Sequence, residues 1–152
     1  MIHGVEIKEL TTHTDERGFF REVVRGSDPI FPEGFGQWSH TMSYQGVAKA
    51  WHVHQKQVDW WYVAVGAIKA ALYDTRSDSP TYGEIQELLM GEGQPAIVLK
   101  IPPGVAHGYR VLNGPAHVFY IVSREYDSSD EGRIPYDDPE IGYDWTAGTE
   151  IS

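Results

Sequence analysis

Apolar and polar residues alternate along this chain in short runs, which sixteen glycines and nine prolines punctuate. The runs are rich in Val, Ile, Tyr, Trp and Phe, the side chains that suit a pleated, half-buried surface. The pattern predicts strands at Phe19–Val24, Gln37–Ser43, Ala48–His54, Ala96–Ile101 and Val118–Ser123. It also predicts a hairpin of Val58–Val65 and Ile68–Tyr73 turning at Gly66-Ala67, where glycine can take the positive φ of a tight turn. Pro102-Pro103-Gly104 must be a turn or loop. Glu84–Leu89 fits a short strand or a helical turn, and helical periodicity is weak elsewhere. So many short strands point to an all-β sandwich, jelly roll or small barrel whose interior can hold a ligand.

Composition narrows the chemistry. The 152 residues suit one domain, and a 41% hydrophobic content is enough to fill its core. No apolar run approaches the roughly 20 residues of a membrane helix, and the charged N-terminal stretch has no leader pattern, so the expectation is a cytoplasmic protein with no membrane partner. The absence of cysteine excludes disulfides, thiolate metal sites and cysteine nucleophiles. Twelve Lys+Arg against 22 Asp+Glu give a formal charge of −10, which disfavours a nucleic-acid partner. An anionic substrate would need a few cations concentrated in one pocket. The acidic stretch Asp127–Asp144 reads as a solvated surface segment.

The densest polar signal is Trp51-His52-Val53-His54. On a strand, the period of two sends both imidazoles to one face and Trp51 and Val53 to the other. Asp59 follows five residues later, and His107 comes after the Pro102-Pro103-Gly104 turn. The spacing Gly46-x5-His52-x-His54-x4-Asp59-x6-Gly66, followed by Pro102-x-Gly104-x2-His107, resembles the two-part signature of the cupin superfamily, with Asp59 where Glu is usual. In metal-dependent cupins the corresponding residues hold a divalent ion, so His52, His54, Asp59 and His107 form one candidate site of imidazole and carboxylate ligands.

A longer resemblance covers most of the chain. Asp15-Glu16-Arg17-Gly18-Phe19-Phe20-Arg21-Glu22, Gln37-Trp38-Ser39-His40-Thr41-Met42-Ser43 and Gly46-Val47-Ala48-Lys49-Ala50-Trp51-His52 are similar to successive motifs of the dTDP-4-dehydrorhamnose 3,5-epimerase family. Tyr73-Asp74-Thr75-Arg76, Ile101-Pro102-Pro103-Gly104-Val105-Ala106-His107-Gly108, the pair Tyr120 and Tyr126, and Asp137-Asp138-Pro139 with Gly142 and Trp145 continue the match in order. The resemblance implies a cupin jelly-roll barrel, the double-stranded β-helix, that isomerises nucleotide-linked 4-keto-6-deoxy sugars without a metal or other cofactor and works as a homodimer. It implies that His52 removes a proton beside the ketone and that Tyr120 returns one to the opposite face. By the same resemblance Arg17, Phe19, Glu22, Gln37, Lys49, His107 and Tyr126 line the nucleotide diphosphate sugar.

The departures define the open questions. The family usually has lysine where this chain has Asp59, and a carboxylate there opposes an enolate by about 1–4 kcal/mol if the charges lie about 4 Å apart. Lys49 replaces a phosphate-forking arginine, keeping the charge and losing the fork. His54 stands for Gln, Trp51 for Leu and Ser39 for Asn. Family members also carry, in a segment after the one matched by Trp145, an aspartate that orients the catalytic histidine, and the expected substitutes are Asp138 or Asp59. Three functions therefore compete: a nucleotide-sugar epimerase, a metal-dependent cupin enzyme, and a binding protein without catalysis.

Overall fold

The computed structural model describes residues 1–146. Ten strands form among them and no helix: β1 (Glu6–Glu9), β2 (His13–Asp15), β3 (Gly18–Phe20), β4 (Gln37–Ser43), β5 (Ala48–His54), β6 (Asp59–Asp74), β7 (Ile85–Gly91), β8 (Ile97–Ile101), β9 (Val105–Val122) and β10 (Glu131–Arg133). All pairings are antiparallel, giving the all-β jelly roll expected of a cupin.

Two long strands organise the barrel. β6 has 16 residues and β9 has 18, and they pair from Asp59↔Val122 to Asp74↔Val105. Their register shifts between Val63 and Ile68, where both strands bend and pass from one layer to the other. The first half of β6 pairs with β8, and the second half of β9 with β4, so one layer runs β1-β8-β6-β9-β4. The second half of β6 pairs with β7, and the first half of β9 with β5, so the other layer runs β7-β6-β9-β5-β10.

This continuity corrects the predicted hairpin. Gly66 does take a positive φ of 74°, but it serves a bend inside one strand rather than a turn between two. The close approach of β9 demands glycine as much as the dihedral does: a Cβ on Gly66 would lie 2.5 Å from the carbonyl oxygens of both Asn113 and Pro115. The Phe19–Val24 strand also shortens, to Gly18–Phe20, because β3 pairs only with β2 in a small hairpin outside the main sheet. Glu84–Leu89 resolves as strand β7.

The core between the layers is aliphatic and aromatic, with Ile68, Leu72, Leu99, Ile101, Val105 and Val118 fully buried. Two further clusters close the outer faces. Trp51 and Val53 pack with Ile141 and Trp145 on one side, and Trp60 packs with Ile30, Phe31 and Val58 on the other. Trp60 is pinned by donating its Nε1–H to the Ile30 carbonyl at 2.7 Å. At the end of β6 the fully buried Asp74 accepts from Arg76 Nε at 2.8 Å and Nη2 at 3.0 Å, from the Ser79 hydroxyl at 2.6 Å and from the Thr81 hydroxyl at 2.7 Å. Burial pushes this carboxyl up, but those donors outweigh it and hold it far below the usual carboxylate range. A carboxyl depressed on folding contributes stability above its unfolded pKa of roughly 4, and the contribution is lost as the pH falls further.

Candidate active site

The strand period sets the site. On β5, Trp51 and Val53 are buried against the outer cluster, whereas His52 and His54 are half-buried and turn inward. They face a cavity of about 300 Å³ between the two layers. Gln37 and Thr41 of β4, Lys49 of β5, Asp59 and Trp61 of β6, His107, Tyr109 and Tyr120 of β9, and Glu131 of β10 complete most of its wall, with Gln57 and Tyr126 from loops. His52 lies in the layer of β5 and β10, and Tyr120 lies in the layer of β4 and β8, where it pairs with Ser39 and Trp61. A ligand in the cavity therefore meets an imidazole on one wall and a phenol on the other.

Asp59 is buried, only 4% exposed. It accepts from Gln57 Nε2 at 2.8 Å and Trp61 Nε1 at 3.3 Å, and its Oδ2 lies 3.8 Å from His107 Nε2. His107 Nδ1 is 3.1 Å from the Val105 carbonyl, which can only accept, so the neutral ring carries its proton on Nδ1 and points its Nε2 lone pair at Asp59. Burial lowers the pKa of His107, against the pull of Asp59. His54, Asp59 and His107 each offer an atom within 4.8 Å of the others'. They are three of the four expected metal-site residues, and His52 is not in the group.

His52 turns instead to Glu131. Its Nδ1 lies 3.6 Å from Glu131 Oε1, so the expected partners Asp59 and Asp138 are replaced by a residue from the segment read as solvated surface. Burial lowers the His52 pKa, the cation of Arg133 lowers it further, and Glu131 opposes both. The balance favours the neutral ring, the form a base needs. Burial raises the Tyr120 pKa, with Asp59 adding to the rise and Ser39 working the other way, so the phenol keeps its proton.

Arg17, Phe19 and Glu22 stay outside this cavity within the single chain. Arg17 pairs with Asp15 at 2.5 Å, Phe19 is 61% exposed beneath the Arg21 guanidinium, and Glu22 accepts from Arg25 at 2.7 Å. Conversely, Glu131, Gln57, Thr41 and Tyr109 line the cavity without having been singled out. The acidic Asp127–Asp144 stretch hid Glu131, whose role depends on the pairing of β10 with β5 rather than on local pattern.

A jelly-roll barrel with an imidazole and a phenol on opposite walls has the groups needed to move protons on carbon. The model of the family described as dTDP-4-dehydrorhamnose 3,5-epimerase matches residues 1–152. The chain is 49% identical over 148 residues to the spore coat polysaccharide biosynthesis protein SpsL of Bacillus subtilis, covering 95% of this chain and 97% of that one. It is 35% identical over 155 residues to the probable low-salt glycan biosynthesis epimerase Agl13 of Haloferax volcanii, covering 96% of each. Among solved structures, a dTDP sugar isomerase from Desulfovibrio desulfuricans superposes with a TM-score of 0.91 at 28% identity, over 97% of this chain and 94% of that chain. The Legionella pneumophila epimerase in complex with dTDP-4-keto-L-rhamnose gives 0.85 at 29% identity, over 97% and 81%. This chain belongs to the dTDP-4-dehydrorhamnose 3,5-epimerase family and is a nucleotide-sugar epimerase, an isomerase. Among the described residues no helix is long and apolar enough to cross a membrane.

Proposed function

We propose that the substrate is a dTDP-4-keto-6-deoxyhexose, inverted by proton transfer across the cavity in the cytoplasmic stage of polysaccharide biosynthesis. The observation that carries this reading is the placement of His52 and Tyr120 on opposite walls of one cavity. His52 takes the proton from a carbon beside the ketone, the electron pair moves to the ketone oxygen, and Tyr120 returns a proton to the other face. Solvent then resets the imidazolium and the phenolate. Lys49, the one cation among the described residues lining the cavity, is suited to the diphosphate, and Gln37 and Tyr126 to the rest of the nucleotide sugar.

The enolate needs a donor, and Asp59 cannot be one while ionised. Two departures from the family's usual residues compensate each other in this reading: the lysine is lost at 59 and an imidazole is gained at 54. His54 gives its N–H to the enolate oxygen, and Asp59 favours a proton on His107.

Arg17, Phe19 and Glu22 reach a cavity in this reading as the arm of a second copy. The β2–β3 hairpin that bears two of them is exposed, with Phe19 and Phe20 each 61% accessible. It sits beside an apolar hollow of about 420 Å³ lined by Val23, Val24, Trp38, Tyr62, Phe119 and Ile121 among others. Apolar surface of this kind marks an interface, which supports a homodimer.

Tyr120→Phe tests the two-wall mechanism. His52 still removes and returns a proton on its own face, so exchange of solvent hydrogen into the substrate continues while inverted product falls by about a hundred-fold or more. NMR of the sugar in heavy water reads both. Inverted product formed at the wild-type rate would remove Tyr120 from the mechanism.

A further inference from the structure

We propose that Glu131 is the positioning residue for His52, and that Tyr126 holds Glu131 in place. The proposal rests on the epimerase reading above and names a residue to which neither the family resemblance nor the motif spacing gives a role.

The placement comes from the sheet. β10 pairs antiparallel with β5 in the register Glu131↔His54, Gly132↔Val53 and Arg133↔His52. Glu131 thus falls on the inward face that His52 and His54 share, and lines the same cavity. Gly132 allows the close pairing, since a Cβ there would lie 2.9 Å from Val53 Cγ1. Among the described residues Glu131 is the carboxylate at ion-pair distance from His52, with Oε1 at 3.6 Å from Nδ1. The side chain of Glu131 is 22% exposed. Its other oxygen, Oε2, accepts from the Tyr126 hydroxyl at 3.2 Å. Tyr126 is in turn tied to the barrel, because its backbone N–H donates to Gln37 Oε1 at 3.0 Å.

A carboxylate at Nδ1 fixes two properties of an imidazole. It keeps the proton on Nδ1, which leaves the lone pair on Nε2, and it stabilises the imidazolium formed when Nε2 takes the substrate's proton. Glu131 itself gains no proton in that step. The 3.6 Å separation is longer than a hydrogen bond, as is common for catalytic contacts before substrate is seated. The other charged or titratable groups facing His52 are Arg133 beside Glu131, His54 on its own strand, and His107 across β9. Arg133 and His54 disfavour a positive ring, and Glu131 is the counterweight. Arg133 Nη2 also donates to Glu131 Oε1 at 3.4 Å and competes for the oxygen that faces His52. The Tyr126 hydrogen bond on the opposite oxygen limits how far the carboxylate can swing toward Arg133.

The experiment combines histidine-labelled nitrogen NMR with steady-state kinetics on the full chain. In the wild type, His52 is expected as the Nδ1–H tautomer. Glu131→Gln should weaken the preference for the Nδ1–H tautomer and reduce kcat about ten- to a hundred-fold with KM within about three-fold. Glu131→Asp should restore the tautomer and part of kcat, and Tyr126→Phe should lower kcat several-fold while keeping the tautomer. An unchanged His52 tautomer in Glu131→Gln would overturn the proposal, and so would an equal loss of kcat in Glu131→Asp and Glu131→Gln. Absence of exchange in the wild type with a dTDP-4-keto sugar would overturn the epimerase reading alone, because the NMR arm needs no substrate.

Discussion

In a His52→Ala variant, solvent-hydrogen exchange at the carbons beside the ketone is expected to fall about a thousand-fold, while dTDP affinity stays within a few-fold. The expectation follows from where the ring sits. His52 projects into the cavity and is absent from the hydrophobic clusters, so its loss removes a base and leaves the packing of Trp51 and Val53 intact. General-base catalysis contributes about 10²–10⁴ in rate, and the neighbouring imidazole, His54, is given to the enolate oxygen in this reading. Because burial places the His52 pKa below the ordinary imidazole value, the wild-type rate should hold on the acid side past pH 6.5 and drop only as the ring charges. Wild-type turnover in the alanine variant, measured by mass spectrometry of the recovered sugar nucleotide, would remove His52 from the mechanism.

The second large effect concerns Asp59, where the sign of the change carries the information. Asp59→Asn keeps the shape but removes the charge, and its one amide oxygen can accept from the Gln57 donor or the Trp61 donor and not from both. If Asp59 helps the imidazoles steady the enolate, exchange falls about ten- to a hundred-fold. If the carboxylate merely opposes the enolate, its removal relieves about 1–4 kcal/mol of repulsion and exchange rises about ten-fold or more. We expect the fall, on the ground that Asp59 faces His107 at 3.8 Å within a group that also includes His54. A rise would overturn the role given to His54. Stoichiometric Fe, Mn, Ni or Zn in the purified wild type, lost in Asp59→Asn, would assign the three residues to a cation instead.

How much of this was legible in the sequence depended on how local the cause was. β4 and β5 have the bounds that alternation predicts, Gln37–Ser43 and Ala48–His54, because the two faces of each differ in exposure with a period of two, the apolar Trp51 and Val53 being buried on β5 and the apolar Trp38 and Met42 exposed on β4. The inward turn of His52 and His54 was legible for the same reason, and the motif spacing brought Asp59 and His107 to the same cavity. The long strands were not legible. A glycine at positive φ serves a tight turn or a bend equally well, and only the pairing partner, here β9, decides between them. Glu131 was hidden by its acidic neighbours, since three residues pairing at the sheet edge leave almost no pattern. The arm carrying Arg17 and Phe19 has few contacts within its own chain, so its motif reads as a site while its position in one copy does not.

The central claim is that this cavity removes a proton from carbon beside a ketone. Incubating the enzyme with dTDP-4-keto-6-deoxyglucose in heavy water, and locating deuterium in the sugar by NMR, tests it most directly. Deuterium at C3, at C5 or at both, with inversion at the labelled carbons, is the predicted result, and the number of labelled carbons gives the number of centres inverted. A sugar nucleotide that binds and is recovered with no deuterium at either carbon would contradict it.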